Sequence, residues 1–217
     1  TAGEYAITEF TIAAFIRERF AAASLVTEGG PIVAVNHNSG NPHYAPTSER
    51  SSPIRSGDFV LLDIWAKLNR PAAVYYDITW TGYCGDAPPE KIQTIFDVVS
   101  GSRDKAVSFV DSAIREGREI AGWQVDDVTR GHIADAGFGD YFVHRTGHSI
   151  GEEVHGNGAN IDNLETRDER PIIPRTCFSI EPGVYLPEFG VRTEIDCYIS
   201  ASGASATGAV QEKIVRI

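Results

Sequence analysis

Four carboxylates embedded in apolar runs constrain this chain more than any other feature. Asp63 lies within DFVLLDIW (58–65) and Asp77 within AAVYYDITW (72–80). Glu181 lies within TCFSIEPGVY (176–185) and Glu194 within GVRTEIDCYIS (190–200). The first two runs read as strands buried on both faces. The third reads as strand, turn, strand, with Glu181 at the bend, and the fourth as one strand. Alternation along that fourth run puts Arg192, Glu194 and Asp196 on one face. An ionised carboxylate is costly to bury unless it is paired, hydrogen-bonded or bound to a metal. Lys and Arg together number 19 against 30 Asp and Glu, and only Arg192 is close in sequence to any of the four acids. Four such carboxylates with a histidine are a normal ligand set for two divalent ions.

The histidine comes from FVHRTGHSIGEEVHG (142–156), which holds His144, His148 and His155, three of the chain's six histidines. Gly147 and Gly151 flank the middle one, a spacing that suits strand and loop more than a helical face. Neutral imidazole is the commonest metal ligand and a frequent acid–base group.

The other segments supply a frame. Thr8 can cap a helix that runs on toward Gly29-Gly30-Pro31. Residues 31–35 read as a short strand, and 36–52 as a polar loop that carries His43, which taken alone is an ordinary loop histidine. Asn69-Arg70-Pro71 supplies a turn, so the runs around Asp63 and Asp77 form a hairpin. A helix is expected over 90–117, and another, capped by Asp126 or Asp127, up to Gly137. Residues 162–170 read as a solvated charged loop, 200–209 as a turn and 211–217 as a closing strand.

Composition narrows the partners. The net charge of −11 and the lack of Lys/Arg clusters argue against nucleic acid or an anionic membrane as the main partner. No apolar run approaches membrane-helix length and no secretory signal pattern is present. Cys84, Cys177 and Cys197 are scattered and read as ordinary reduced cysteines in or near the core, which fits a cytoplasmic setting. The chain starts at Thr1 and has no Met, so it reads as a piece of something longer.

The ordered set of Asp63, Asp77 in DIT, His148 in HRTGHSIG, Glu181 in SIEPG and Glu194 in GVRTEID resembles the metallopeptidases of the pita-bread fold. These include methionine aminopeptidases, Xaa-Pro aminopeptidases and Xaa-Pro dipeptidases (prolidases), with creatinase as a non-metal relative. The resemblance runs from about Thr8 to the C-terminus. It implies an α+β fold with a curved, mainly antiparallel sheet, helices on the outer face and two metals on the inner face. Residues 1–217 would be a single catalytic domain, without the N-terminal domain of longer members. Asp63 would hold one metal, Asp77 and Glu194 would bridge the two, and His148 and Glu181 would complete the shell of the second metal. His43 in NPHYAPT, His144, His155 and Arg192 in GVRTE resemble the residues of the proline-specific branch.

The implied activity is hydrolysis of a peptide bond next to proline by a two-metal exopeptidase, with a hydroxide shared by the metals as nucleophile. Glu181 would relay the proton, His155 would stabilise the oxyanion and His43 would orient the peptide, with His144 and Arg192 as supporting or substrate contacts. Mn²⁺ is the expected metal, with Co²⁺, Zn²⁺ or Fe²⁺ as alternatives. The expected partner is a peptide, and a homodimer is left open. Methionine-aminopeptidase-like specificity, a non-catalytic binding module and creatinase-type hydrolysis are the competing readings. Three departures bear on specificity: the Asp63–Asp77 hairpin spans 14 positions, longer than usual, Trp80 replaces the arginine after DIT, and Gly156 replaces the acid after the second histidine.

Overall fold

Thr8 opens the first helix of the computed structural model, which describes residues 7–217. Its hydroxyl accepts the Thr11 N–H while the Thr11 side chain accepts the Thr8 N–H, a reciprocal cap on α1 (Glu9–Ala22). The helix stops at Ala22, short of Gly29. Leu25–Val26 instead form a two-residue strand, β1.

β2 (Ile32–Val35), β3 (Phe59–Leu68) and β4 (Tyr76–Tyr83) follow. β1 and β2 pair antiparallel with β3, and β3 pairs antiparallel with β4. The β3–β4 hairpin is therefore as expected, although Ala72 to Tyr75 belong to its loop. α2 (Glu90–Arg115) and α3 (Gly122–Asp135) come next. A second sheet is built from β5 (Ser149–Ile150), β6 (Cys177–Ile180), β9 (Ile195–Ile199) and β10 (Ala204–Ala206), all antiparallel, in the order β10-β9-β6-β5. β7 (Gly183–Tyr185) and β8 (Gly190–Arg192) form a separate antiparallel ribbon. β11 (Val215–Arg216) closes on β4 in parallel. The α+β, mainly antiparallel expectation stands.

Two core clusters lie along α2. Ile92, Ile95, Phe96 and Val99 pack with Phe59, Val184 and Val191. Ala106, Val110 and Ala113 pack with Phe178, Ile180 and Ile195. One helix thus closes both halves, its apolar face repeating at helical spacing.

Five further expectations need correction. Residues 200–209 are not only a turn, since Ala204–Ala206 form β10 and pair with β9. The residues from Gly190 to Ser200 are two strands, β8 and β9, broken at Thr193-Glu194, where Glu194 N–H leaves the ladder to donate to Thr79 C=O (3.0 Å). Neither Asp126 nor Asp127 caps α3. Its start is Ala121, whose N–H donates to Gln124 Oε1 (2.8 Å), and Asp126 is buried within the helix. The 162–170 loop is not simply solvated: Asp162 and Asp168 are buried, and Asp162 accepts the N–H groups of Leu164, Glu165 and Thr166. The 36–52 loop begins with a 3₁₀ turn (Asn36–Gly40) and is pinned from within. Buried Glu9 accepts from Val35 N (2.7 Å), Asn38 Nδ2 (2.8 Å), Tyr44 O–H (2.6 Å) and Ser52 N (2.6 Å).

Candidate metal centre

The β3–β4 register sets the first wall of the site. Asp63 lies opposite Thr79, and Trp65 opposite Asp77. Alternation puts these four side chains on one face of the hairpin. Glu194 reaches that face from the β8–β9 break. Thr79 Oγ1 donates to Glu194 Oε2 (2.7 Å) and accepts from Arg192 Nε (3.0 Å). Asp77 N–H donates to Asp196 Oδ2 (3.0 Å). The first sheet is thereby stitched to the second at the acids themselves.

The histidine segment forms the facing wall. Gly147 passes so close to β6 that a Cβ there would overlap the Ser179 carbonyl, so only glycine fits. Gly151 has open space around it and carries no such requirement. Ser179 N–H donates to His148 C=O (2.8 Å), His148 N–H donates to Ser179 Oγ (3.0 Å), and Glu181 N–H donates to Thr146 C=O (2.7 Å). Ser179 Oγ also donates to Glu181 Oε1 (2.9 Å). Position and carboxylate of Glu181 are fixed together.

His148 Nδ1 faces the Ser149 carbonyl at 3.3 Å. Its Nε2 lies 3.3 Å from Glu181 Oε1 and 3.7 Å from Asp77 Oδ2. Either a proton or a cation has to sit among these electron-rich atoms. Two further observations fit a metal ion. Asp77, His148 and Glu194 each offer a ligand atom within 4.8 Å of the others, and the buried Asp77 Oδ1 has no hydrogen-bond partner. Asp63 forms an ion pair with Arg192 through Oδ2, which leaves Oδ1 outside that pair.

The electrostatics agree with a site short of positive charge. Burial first, then Asp63, Glu181 and Asp196, push Asp77 well above the ordinary carboxylate range. Burial, then Asp77, Glu181 and Asp63, do the same to Glu194. Burial would raise Glu181 too, but the hydrogen bond and charge of His148, helped by His144 and Arg192, bring it down to about 2. His144 is lowered to about 4, chiefly by burial. Its Nδ1 lies 2.6 Å from Arg145 C=O and its Nε2 lies 2.7 Å from Tyr185 O–H. The neutral ring therefore donates through Nδ1 and accepts from Tyr185, which itself accepts from Arg192 Nη1 (3.0 Å). His155 is lowered by burial, then by His148 and Arg145, and its ring lies 4.3 Å from that of His148.

All nine residues singled out in the sequence, Asp63, Asp77, His148, Glu181, Glu194, His43, His144, His155 and Arg192, line one cavity of about 520 Å³. His43 is exposed at its mouth, while the acids lie at its floor. The sequence reading missed Thr79, Ser179 and Tyr185, ordinary strand residues whose hydroxyls orient the charged groups. It also missed the Asp126–Arg130 pair. Asp126 accepts from Thr146 N (2.9 Å) and Oγ1 (2.6 Å), and from Arg130 Nε (2.9 Å). Arg130 donates to the carbonyls of Phe142 and His144, each at 3.0 Å. The pair holds the histidine segment from behind.

The profile of metallopeptidase family M24 matches residues 3–201. The chain belongs to metallopeptidase family M24. Among M24 relatives, the Xaa-Pro dipeptidase of Pyrococcus furiosus is 31% identical over 185 residues, which are 85% of this chain and 48% of that protein. The dipeptidase PepE of Mycobacterium ulcerans superposes with a TM-score of 0.82 at 31% identity, covering 97% of this chain and 53% of that one. The X-prolyl aminopeptidase of Caenorhabditis elegans, described as a cytosolic enzyme with a di-nuclear active site, superposes with a TM-score of 0.74 at 26% identity, covering 88% of this chain and 30% of that one. The fold is the pita-bread fold of these M24 peptidases. The chain spans about half the length of the curated relatives it matches. Among the described residues no helix is long and apolar enough to cross a membrane.

Proposed function

We propose that this M24 chain is the catalytic part of a two-metal exopeptidase that hydrolyses a peptide bond next to proline. The observation that carries the reading is the group of Asp77, His148 and Glu194, buried together with an unpartnered Asp77 oxygen. Asp63 would hold one divalent ion, Asp77 and Glu194 would be shared, and His148 and Glu181 would serve the second. The oxygen-rich donor set suits Mn²⁺, with Co²⁺, Zn²⁺ and Fe²⁺ as alternatives. When bound, such ions acidify a water and polarise the scissile carbonyl.

The chain's own groups do the rest. Glu181, ionised at neutral pH, takes a proton from the attacking water and returns it to the leaving nitrogen. His155 is neutral above its lowered pKa and donates an N–H toward the developing oxyanion. His43, at the cavity mouth, orients the peptide. Arg192 neutralises part of the acid cluster and, through Tyr185, fixes the ring of His144. The proline preference rests on His43, His144, His155 and Arg192, which match the proline-specific branch, and on relatives named Xaa-Pro dipeptidase.

The test is hydrolysis by chelated protein reloaded with Mn²⁺, Co²⁺ or Zn²⁺, on Xaa-Pro, Xaa-Pro-Xaa and Met-Ala-Xaa peptides, with Glu194→Ala as control. Cleavage of a proline peptide, restored by metal and lost in the variant, is the expected result. Cleavage of Met-Ala-Xaa alone, or failure to bind metal, would overturn the proposal.

A further inference from the structure

The sheet face that carries Asp63 and Asp77 also carries two large apolar side chains. Trp65 lies directly opposite Asp77, and Ile32 directly opposite Asp63 on the neighbouring strand. Directly opposed residues of an antiparallel pair have Cβ atoms about 4.5–5.5 Å apart. The two carboxylates therefore stand beside an indole and a sec-butyl group, and both apolar groups line the cavity.

The indole is held in place. Its Nε1–H donates to the Glu28 carbonyl (2.6 Å). Gly29 and Gly30 lie against the ring so closely that a methyl group at Gly30 would overlap it. The polar handle of Trp65 is thus satisfied by the chain, and the ring offers the cavity an apolar surface only. A surface fixed in advance loses little freedom when a ligand arrives.

Charge sets which end of a peptide meets this wall. Glu28, whose carbonyl holds the indole, belongs to the cavity lining on the Trp65 side, and Glu165 lines the cavity as well. Arg145 lines the cavity from the histidine segment, its charge acts on His155, and it makes no ion pair or side-chain hydrogen bond among the described residues. Glu28 favours a peptide ammonium on the Trp65 side, and Arg145 favours a carboxylate on the histidine wall.

We propose that Trp65, with Ile32, forms the subsite for the side chain of the substrate's N-terminal residue, and that it selects peptides with a large apolar or aromatic residue before proline. This rests on the peptidase reading above for its substrate, but not for its binding surface. An apolar pocket of this kind discriminates by roughly 10–200-fold between side chains.

The experiment is calorimetric binding to the Mn²⁺-loaded full chain of two uncleavable analogues, Phe-Pro and Gly-Pro with a methylene in place of the scissile carbonyl. The Phe analogue is expected to bind at least about tenfold tighter. In Trp65→Ala that ratio falls to within about threefold, and Trp65→Phe recovers most of it. Should Trp65→Ala fail to fold, Ile32→Ala is expected to lower the same ratio. Equal affinities in the wild type, or a ratio untouched by Trp65→Ala or Ile32→Ala, would overturn the subsite. Turnover of the parent dipeptides is measured in parallel. A preserved binding ratio with no hydrolysis defeats the peptidase reading and leaves the subsite standing.

Discussion

Thr79 carries no charge, yet its hydroxyl donates to Glu194 and accepts from Arg192 within a buried cluster. Thr79→Val keeps the shape and leaves both partners unsatisfied. A cost of about 1–3 kcal/mol is expected for each group so stranded, seen as a lower urea midpoint in metal-free protein. Charge at the same site makes stability depend on pH in two opposing senses. Asp77 and Glu194 are raised in the folded chain. Between the ordinary carboxylate range and the raised values the folded state keeps protons that the unfolded state has lost, so their contribution falls as pH rises. His144 is lowered from 6.5 to about 4, so the unfolded chain takes up that proton first as pH falls. Its contribution is undiminished above pH 6.5 and declines toward pH 4. Thermal melts of wild type and His144→Gln should therefore converge in slope above pH 6.5, with the variant losing less stability from 6.5 down to 4. At this scale the sequence was most legible where it broke a rule. An acid inside DFVLLDIW is anomalous and announces itself. Thr79 and Tyr185 look like any other strand residues, and only their partners reveal what they do.

Among the elements, α3 lies behind the cavity and still holds its histidine wall. Asp126 and Arg130 on α3 hold the N–H of Thr146 and the carbonyls of Phe142 and His144. Those contacts set the path that carries His144 and His148 into the cavity. Asp126→Ala takes the carboxylate from Arg130 and from the Thr146 N–H and is expected to cost about 1–3 kcal/mol, with weaker metal binding by calorimetry as the accompanying sign. The double variant with Arg130→Met should cost less than the sum of the single changes, because the two act as one unit. The sequence placed Asp126 at a helix start because aspartate is a good N-cap. A competing cap was available in Gln124, and the partners of Asp126, Thr146 and Asn163, lie 20 and 37 residues further on. Helix α2 and the β3–β4 hairpin were legible because their apolar spacing is long and regular. The β8–β9 break was not, because Gly190 to Ser200 alternates like one strand and only the bond from Glu194 to Thr79 interrupts it.

Over the whole molecule, the first sheet contributes Asp63 and Asp77, the second lies next to Glu181 and Glu194, and α2 packs against the cores of both. A ligand bound across that seam stabilises the folded chain by mass action. Mn²⁺ at a hundredfold excess over its Kd should add about 2.7 kcal/mol, read as a higher melting temperature that EDTA reverses. A single transition is expected with and without the metal, since one helix belongs to both cores. The pita-bread architecture itself was legible only through the order of five short motifs. The periodicity of the chain announces strands and helices but not how the two sheets meet. The seam also gives the centre a logic in time. A chain emerging from its N-terminus presents Asp63 and Asp77 on a hairpin that lacks every other member of the proposed set. His148, Glu181 and Glu194 arrive only after the long helix has been made. The proposed centre is thus a conjunction of two half-chains, and its set of acids and histidine is complete only once the last of them has docked.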